Sequence, residues 1–230
     1  MTRERTYRTF QHKEAVFRIC CDRLDAVTAE IVRQRRILEE YIERHPAFRR
    51  ALEPLSPHPD APEIATRMAR AAQSVGVGPM AAVAGAMAEI AAEAGLGAGA
   101  SEAIIENGGD IYLETVEPVT IGLHTGTTTL ADRLAFALDA EQTPIAICSS
   151  SGKMGHSLSL GRCDLAVVVA KDTALADAAA TLAANLVTAV DQIDPTLDRI
   201  AAIEGVDGVL IVKDDRIGLA GSLPNLVKLG

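Results

Sequence analysis

An α+β fold, with a mostly antiparallel or mixed sheet packed against alanine-rich helices, is predicted by three observations. Apolar residues at helical spacing dominate the chain from Asp22 to about residue 95. Six short β-branched or alternating runs follow between Ala103 and Ala170. One strong helix at 172–190 then precedes a closing pair of strands. Helices and strands grouped in this way argue against a doubly wound parallel sheet, which would alternate them.

Thr6–Phe10 and Ala15–Cys20 read as strands, with Gln11-His12-Lys13-Glu14 as the turn between them. A helix follows from Asp22: Leu24, Val27, Ile31, Leu38 and Tyr41/Ile42 recur at helical spacing, and the helix ends before Pro46. Four prolines between Glu53 and Pro62 force an extended stretch, since proline removes a donor and turns its predecessor away from helix. A single domain over residues 1–230 is therefore expected, with 1–53 a distinct strand-strand-helix segment and 54–62 a proline-rich linker. Helices at 62–75 and 79–95 are broken by Gly76-Val-Gly-Pro79, where Pro79 suits a first helical turn. Strands are expected at Ala103–Glu106, Ile111–Glu114, Val119–Leu123, Leu134–Leu138, Ile145–Cys148 and Leu165–Ala170. After the 172–190 helix come a short helix near Pro195 and a terminal hairpin, Gly208–Val212 with Arg216–Ala220.

With 48% apolar residues the chain can bury a real core, and its charge narrows the functional classes. Residues 1–50 hold 12 Lys/Arg against 8 Asp/Glu, and the remainder 10 against 23, so an acidic body follows a mildly basic start. No basic stripe is interleaved with aromatics, which argues against nucleic acid as a partner. The uncharged stretch Ala71–Ala88 is interrupted by Gln73, Ser74, Gly76, Gly78, Pro79 and Gly85, so it reads as a buried helix and not a membrane span. The N-terminal MTRERTYRTFQHKE has no apolar h-region, and a cytoplasmic protein is expected. Four cysteines without CxxC spacing fit reduced thiols; nothing in the sequence fixes an oligomeric state.

Three segments have the residue types for chemistry. Glu106-Asn107-Gly108-Gly109-Asp110 lies between two strands. Its glycines allow positive φ or close approach of a ligand, while Asn-Gly is also the strongest signal of a plain hairpin turn. Ser149-Ser150-Ser151-Gly152-Lys153-Met-Gly-His156 leaves a buried strand with amides, hydroxyls and a lysine able to cradle a phosphate, and with His156 as a candidate base; a solvated Ser/Gly loop gives the same composition. It is not a P-loop, because the earlier glycine and the following Ser/Thr are missing, and Gly95–Ala100 follows a helix and so is no dinucleotide fingerprint. Finally, Asp177 and Thr181 stand four apart on one helical face and can offer hard oxygen ligands to one Mg²⁺; a helix-dipole Asp beside a surface Thr fits equally.

Taken in order, these segments resemble the ApbE-like superfamily, whose best-known members are FAD-binding FMN transferases. Asn107-Gly-Gly-Asp110-Ile111 is similar to its NxGGDI segment, Ile147–Gly152 falls where it has a TSG loop after a strand, and Asp177-Ala-Ala-Ala-Thr181 matches its D-A-L-A-T element. The resemblance covers about residues 75–220 and is closest to a cytoplasmic branch with the stretches Val77–Gly85, Glu106–Asp110 and Ser151–Ser157. It implies Asp177 and Thr181 as Mg²⁺ ligands beside an FAD pyrophosphate. Asn107, Gly108, Gly109, Asp110, Ser150, Ser151 and Gly152 would shape the flavin-nucleotide pocket, with His156 as the catalytic histidine and an acceptor protein as partner. The chain departs from the family pattern in lacking Asp-Pro-x-Thr-Gly after His156 and in carrying Gly78-Pro79 where transferases have Lys-Gly. Three functions stay open on the sequence: FMN transfer to a protein Thr/Ser with AMP release, flavin-nucleotide binding without turnover, and thiol chemistry at Cys20/Cys21 or Cys148/Cys163.

Overall fold

The computed structural model describes residues 5–124, 134–152 and 162–228. It holds two sheets and six α-helices among those residues. The larger sheet has eight strands in the order β1 (Arg8–His12), β2 (Ala15–Cys20), β3 (Ala103–Asn107), β4 (Asp110–Glu114), β7 (Ile145–Ser150), β8 (Leu165–Ala170), β9 (Val206–Lys213) and β10 (Arg216–Gly221). Every neighbouring pair in it is antiparallel. The smaller sheet is β11 (Asn225–Lys228), β6 (Leu134–Leu138) and β5 (Val119–Gly122). The α+β class follows directly.

Side-chain alternation shows why three layers form. Along β8, Leu165, Val167 and Val169 face the core shared with the small sheet, while Ala166, Val168 and Ala170 face the helices. The strand is buried on both faces, and hence apolar throughout. Small residues also line the helix side at Ala103 and Ala146, against Ile, Leu and Phe on the other. Alanine on both the sheet and the helices lets α4 (Val83–Gly97) and α5 (Thr173–Leu186) lie close to it.

The N-terminal strands extend the large sheet, and α1 (Leu24–Arg44) buries Val27, Ile31, Leu38 and Tyr41 in the helix-side core. A short helix not expected from the sequence, α2 (Pro46–Arg50), starts at Pro46, where the missing amide costs nothing. The proline-rich stretch is irregular, with Leu55 and Ala61 against the core, and leads into α3 (Glu63–Val75). Pro79–Ala82 is a 3-10 turn before α4 and not its first turn. Pro79–Gly97 is long and apolar enough by length and composition to cross a membrane, but half of it is buried in this fold.

The strong helix is shorter than the predicted 172–190, because α5 ends at Leu186; α6 (Ile193–Ala201) carries Pro195 in its first turn. The chain does not close on the β9–β10 hairpin: β11 follows it and pairs with β6. Four residues, only one of them not exposed, gave no alternation to find it by.

Candidate functional site

At one end of the large sheet the β3–β4 hairpin turns on Gly108 and Gly109, with φ of +67° and +106°. Positive φ at both central residues is the requirement of a type I′ hairpin, so the plain-turn reading is correct for the backbone. The turn is nonetheless built into a cluster. A Cβ on Gly109 would lie 2.6 Å from Ser149 Oγ, and that hydroxyl donates to the Gly109 carbonyl at 3.0 Å. The register pairs Asn107 with Asp110 and Asp110 with Cys148, which brings the hairpin end beside the end of β7.

Helix α4 begins at the same place. Asn107 Nδ2 donates to the Ala84 carbonyl at 3.2 Å, and Asp177 Oδ2 accepts from the Gly85 amide at 2.9 Å, with the Ala84 amide also favouring the charged carboxylate. First-turn amides have no partner within their own helix, so Asp177 caps α4 from α5. The reverse also holds: Glu89 Oε2, one turn along α4, accepts from the Thr173 amide at the start of α5 at 2.9 Å. Asp172, the N-cap of α5, takes the Leu175 amide at 2.9 Å. The two helices thus terminate each other, and they touch at Gly85, where a Cβ would come within 2.3 Å of the Thr173 carbonyl oxygen.

Asp110 completes the arrangement. It is buried beside the Ser149 amide and the Cys148 thiol, whose Sγ donates to the Thr173 carbonyl at 3.5 Å, and its Oδ1 has no hydrogen-bond partner among the described residues. Burial, and next the negative charge of Asp177, push its carboxyl well above the usual range. Burial likewise raises Asp177, to about 7, against the pull of the Gly85 and Ala84 amides. Thr181 follows Asp177 by one turn of α5 on the same face and is half-buried.

A buried carboxylate pair with an oxygen unpartnered among the described residues, next to a threonine, fits the all-oxygen donor set that Mg²⁺ takes, and three such donors would leave coordination positions for phosphate and water oxygens. Without a cation the same pair must hold protons. The folded chain then binds more protons than the unfolded one between about pH 4, where a free Asp titrates, and about pH 7. Its contribution to stability is fully present below about pH 4 and lost as pH rises through about 7. Urea midpoints of metal-free protein should be lower at about pH 8 than at about pH 5, and Asp177→Asn should flatten that difference; a steeper slope in the variant would contradict the assignment.

The predicted site residues fare differently. Asn107, Gly109, Asp110 and Asp177 are brought together. Gly108 is at the turn with open space around it. Ser151 Oγ and the Gly152 amide both donate to the Cys163 carbonyl, at 3.4 and 3.0 Å, which extends the β7–β8 pairing; it is Ser149, and not Ser150 or Ser151, that meets the glycine turn. His156 and Lys153 lie outside the described residues. Gly85, Glu89 and Thr173 were not singled out as site residues in the sequence, Cys148 was considered only as a thiol, and Ser149 only as part of the Ser/Gly loop. An isolated glycine in an alanine-rich helix was the available signal, since it marks a close approach.

Thiol chemistry is not supported. Cys148 and Cys163 are fully buried; burial first, then Asp110 and Asp177, raises the Cys148 thiol, and burial pushes Cys163 up to about 12. Cys20 is buried, and burial also raises Cys21. A nucleophilic cysteine needs the opposite shift.

Comparison with known proteins agrees with this architecture. A family model described as AbpE bacteria matches residues 2–207. A UPF0280 protein of Methanococcoides burtonii is 36% identical over 224 residues, covering 95% of this chain and 94% of that protein. Among solved structures, the apo flavinyl transferase ApbE of Pseudomonas stutzeri aligns over 94% of both chains with a TM-score of 0.57 and 10% identity. The ApbE protein of Thermotoga maritima aligns over 98% of this chain and 97% of its own, with a TM-score of 0.58 and 11% identity. At those identities the structural likeness establishes the fold. The match over nearly the whole length establishes the rest: the chain belongs to the AbpE bacteria family, a cousin in fold of the ApbE proteins.

Proposed function

We propose that the chain binds a flavin dinucleotide, FAD or a close relative, together with Mg²⁺, at the end of the sheet where Asn107, Asp110 and Asp177 meet. The observation that carries this reading is the buried carboxylate pair at the head of α4, in which Asp110 Oδ1 has no partner among the described residues. Family membership and the fold shared with ApbE flavin transferases support the choice of ligand class.

Asp177 and Asp110, with Thr181, would hold the cation, which when bound supplies positive charge against the diphosphate. The residues of the chain do the rest. Asp177 keeps its orientation because the Gly85 amide of α4 holds its Oδ2. The Gly108-Gly109 turn, fixed by Ser149, presents backbone without side chains beside the cation site. In the transfer reaction an acceptor Ser or Thr oxygen forms a bond to the FMN phosphorus, the anhydride bond to AMP breaks, and His156 accepts the hydroxyl proton. Both partners would be met in the cytoplasm.

Binding without turnover is the second reading, favoured by the absence of Asp-Pro-x-Thr-Gly after His156. One experiment separates the two. Protein incubated with FAD and Mg²⁺, with and without cell extract as a source of acceptors, is assayed for AMP and for protein-bound flavin. AMP with covalently bound flavin supports transfer; retained FAD without AMP supports the binding module. No retention of flavin and no AMP overturns both.

A further inference from the structure

Away from the sheet end, where α1 meets the proline-rich stretch, His45, His58 and Asp60 converge. One nitrogen of each ring and a carboxylate oxygen lie within 4.8 Å of one another. Asp60 Oδ1 accepts from His45 Nε2 at 3.0 Å and from His58 Nδ1 at 2.6 Å. We propose that these three side chains form a Zn²⁺ site that fastens the proline-rich stretch to the end of α1.

Chemistry, geometry and support all point the same way. Two imidazole nitrogens and one carboxylate oxygen are a donor set for Zn²⁺, whereas Mg²⁺ and Ca²⁺ take oxygen alone. With bonds of about 2.0 Å, tetrahedral ligands stand about 3.3 Å apart, so each ring nitrogen needs to move from Asp60 Oδ1 by under about 1 Å to admit the ion. Water fills the fourth position, because the cluster faces solvent: the His58 and Asp60 side chains are 58% and 39% exposed.

The groups are also held in place. His45 caps α1, its amide donating to the Tyr41 carbonyl at 2.9 Å, and its ring lies against the buried Tyr41 ring. His58 stacks on His45 with centroids 4.3 Å apart, and its amide donates to Tyr41 Oη at 3.1 Å. Arg44 pairs with Asp60 Oδ2, which leaves Oδ1 turned to both rings. Such outer partners orient metal ligands. An ion there would cross-link residues 45 and 60, adding to the anchors of that span in the core, the buried Phe48 of α2 and Leu55.

The test uses tag-free, full-length protein stripped with chelator and titrated with Zn²⁺ against a chromophoric chelator, with excess Mg²⁺ present to occupy the carboxylate pair. The proposal expects one Zn²⁺ per chain, a rise in melting temperature on binding, and at least about a hundredfold weaker binding in both His58→Ala and Asp60→Asn. Both replaced side chains are partly or largely exposed, and unchanged circular dichroism confirms that the variants fold. Cobalt(II) should bind without a thiolate charge-transfer band. No Zn²⁺ uptake by the parent chain, uptake by either variant as tight as the parent's, or a thiolate band overturns the proposal.

Discussion

Asp177→Asn is expected to lower magnesium-dependent AMP release from FAD by a factor of a few hundred while the variant stays folded. Removing one fixed charge-stabilising contact costs about 3–4 kcal/mol in the barrier. The substitution is chosen because Asp177 has two duties. Its Oδ2 accepts the Gly85 amide of α4, and the asparagine carbonyl can still do so; its charge faces Asp110, and the amide cannot supply that charge. Asp177→Ala would leave the Gly85 amide unpaired and so add a stability loss of about 1–3 kcal/mol, which confuses the readout. Rates of AMP release for the parent and both variants, measured beside urea midpoints, separate the two duties. A fully active Asp177→Asn would reduce the residue to a helix cap. Should the parent release no AMP, the same comparison applies to FAD affinity in the presence of Mg²⁺.

Gly85→Ala carries the second large effect. The added methyl would stand 2.3 Å from the Thr173 carbonyl oxygen and 2.9 Å from Asp177 Cβ, both belonging to α5. Backbone oxygen cannot swing aside, so α4 and α5 must part, and overpacking of this kind costs about 1–3 kcal/mol or more. Separation would also pull the Gly85 amide from Asp177 and the Thr173 amide from Glu89. Gly97→Ala, in the same helix with open space around it, is the control, expected to be neutral or to stabilise by about 0.5–1 kcal/mol. Chemical denaturation of the two variants checks the difference. Equal midpoints would mean that the helices are not in backbone contact at Gly85.

These effects show how unevenly the fold and site were legible. The strands of the central sheet were readable because burial on both faces makes β8 continuously apolar and the β3–β4 turn carries two glycines, while polar pairs mark the β1–β2 and β9–β10 turns. The end of α5 was not: Val187 to Val190 is as apolar as the helix, and the helix stops on tertiary bonds, including Arg162 N to the Val187 carbonyl. Asp177 and Asp110 were identifiable as chemistry-bearing residues, but their meeting was not, since 67 positions separate them along the chain and only the fold sets their distance. The mutual capping of α4 and α5 has no sequence signature, because caps are recognised by local spacing and these come from another helix. The cluster of His45, His58 and Asp60 escapes for a similar reason: its spacing matches no short metal motif, and a stack of rings on Tyr41 assembles it.

Calorimetric titration of FAD into the metal-free protein, with and without Mg²⁺, addresses the central claim most directly. Saturable one-to-one binding that tightens at least tenfold with Mg²⁺, and loses that gain in Asp177→Asn, is the result the carboxylate pair predicts. Binding indifferent to Mg²⁺, or no flavin binding in either condition, would leave Asp110 and Asp177 as structural acids and remove the functional assignment.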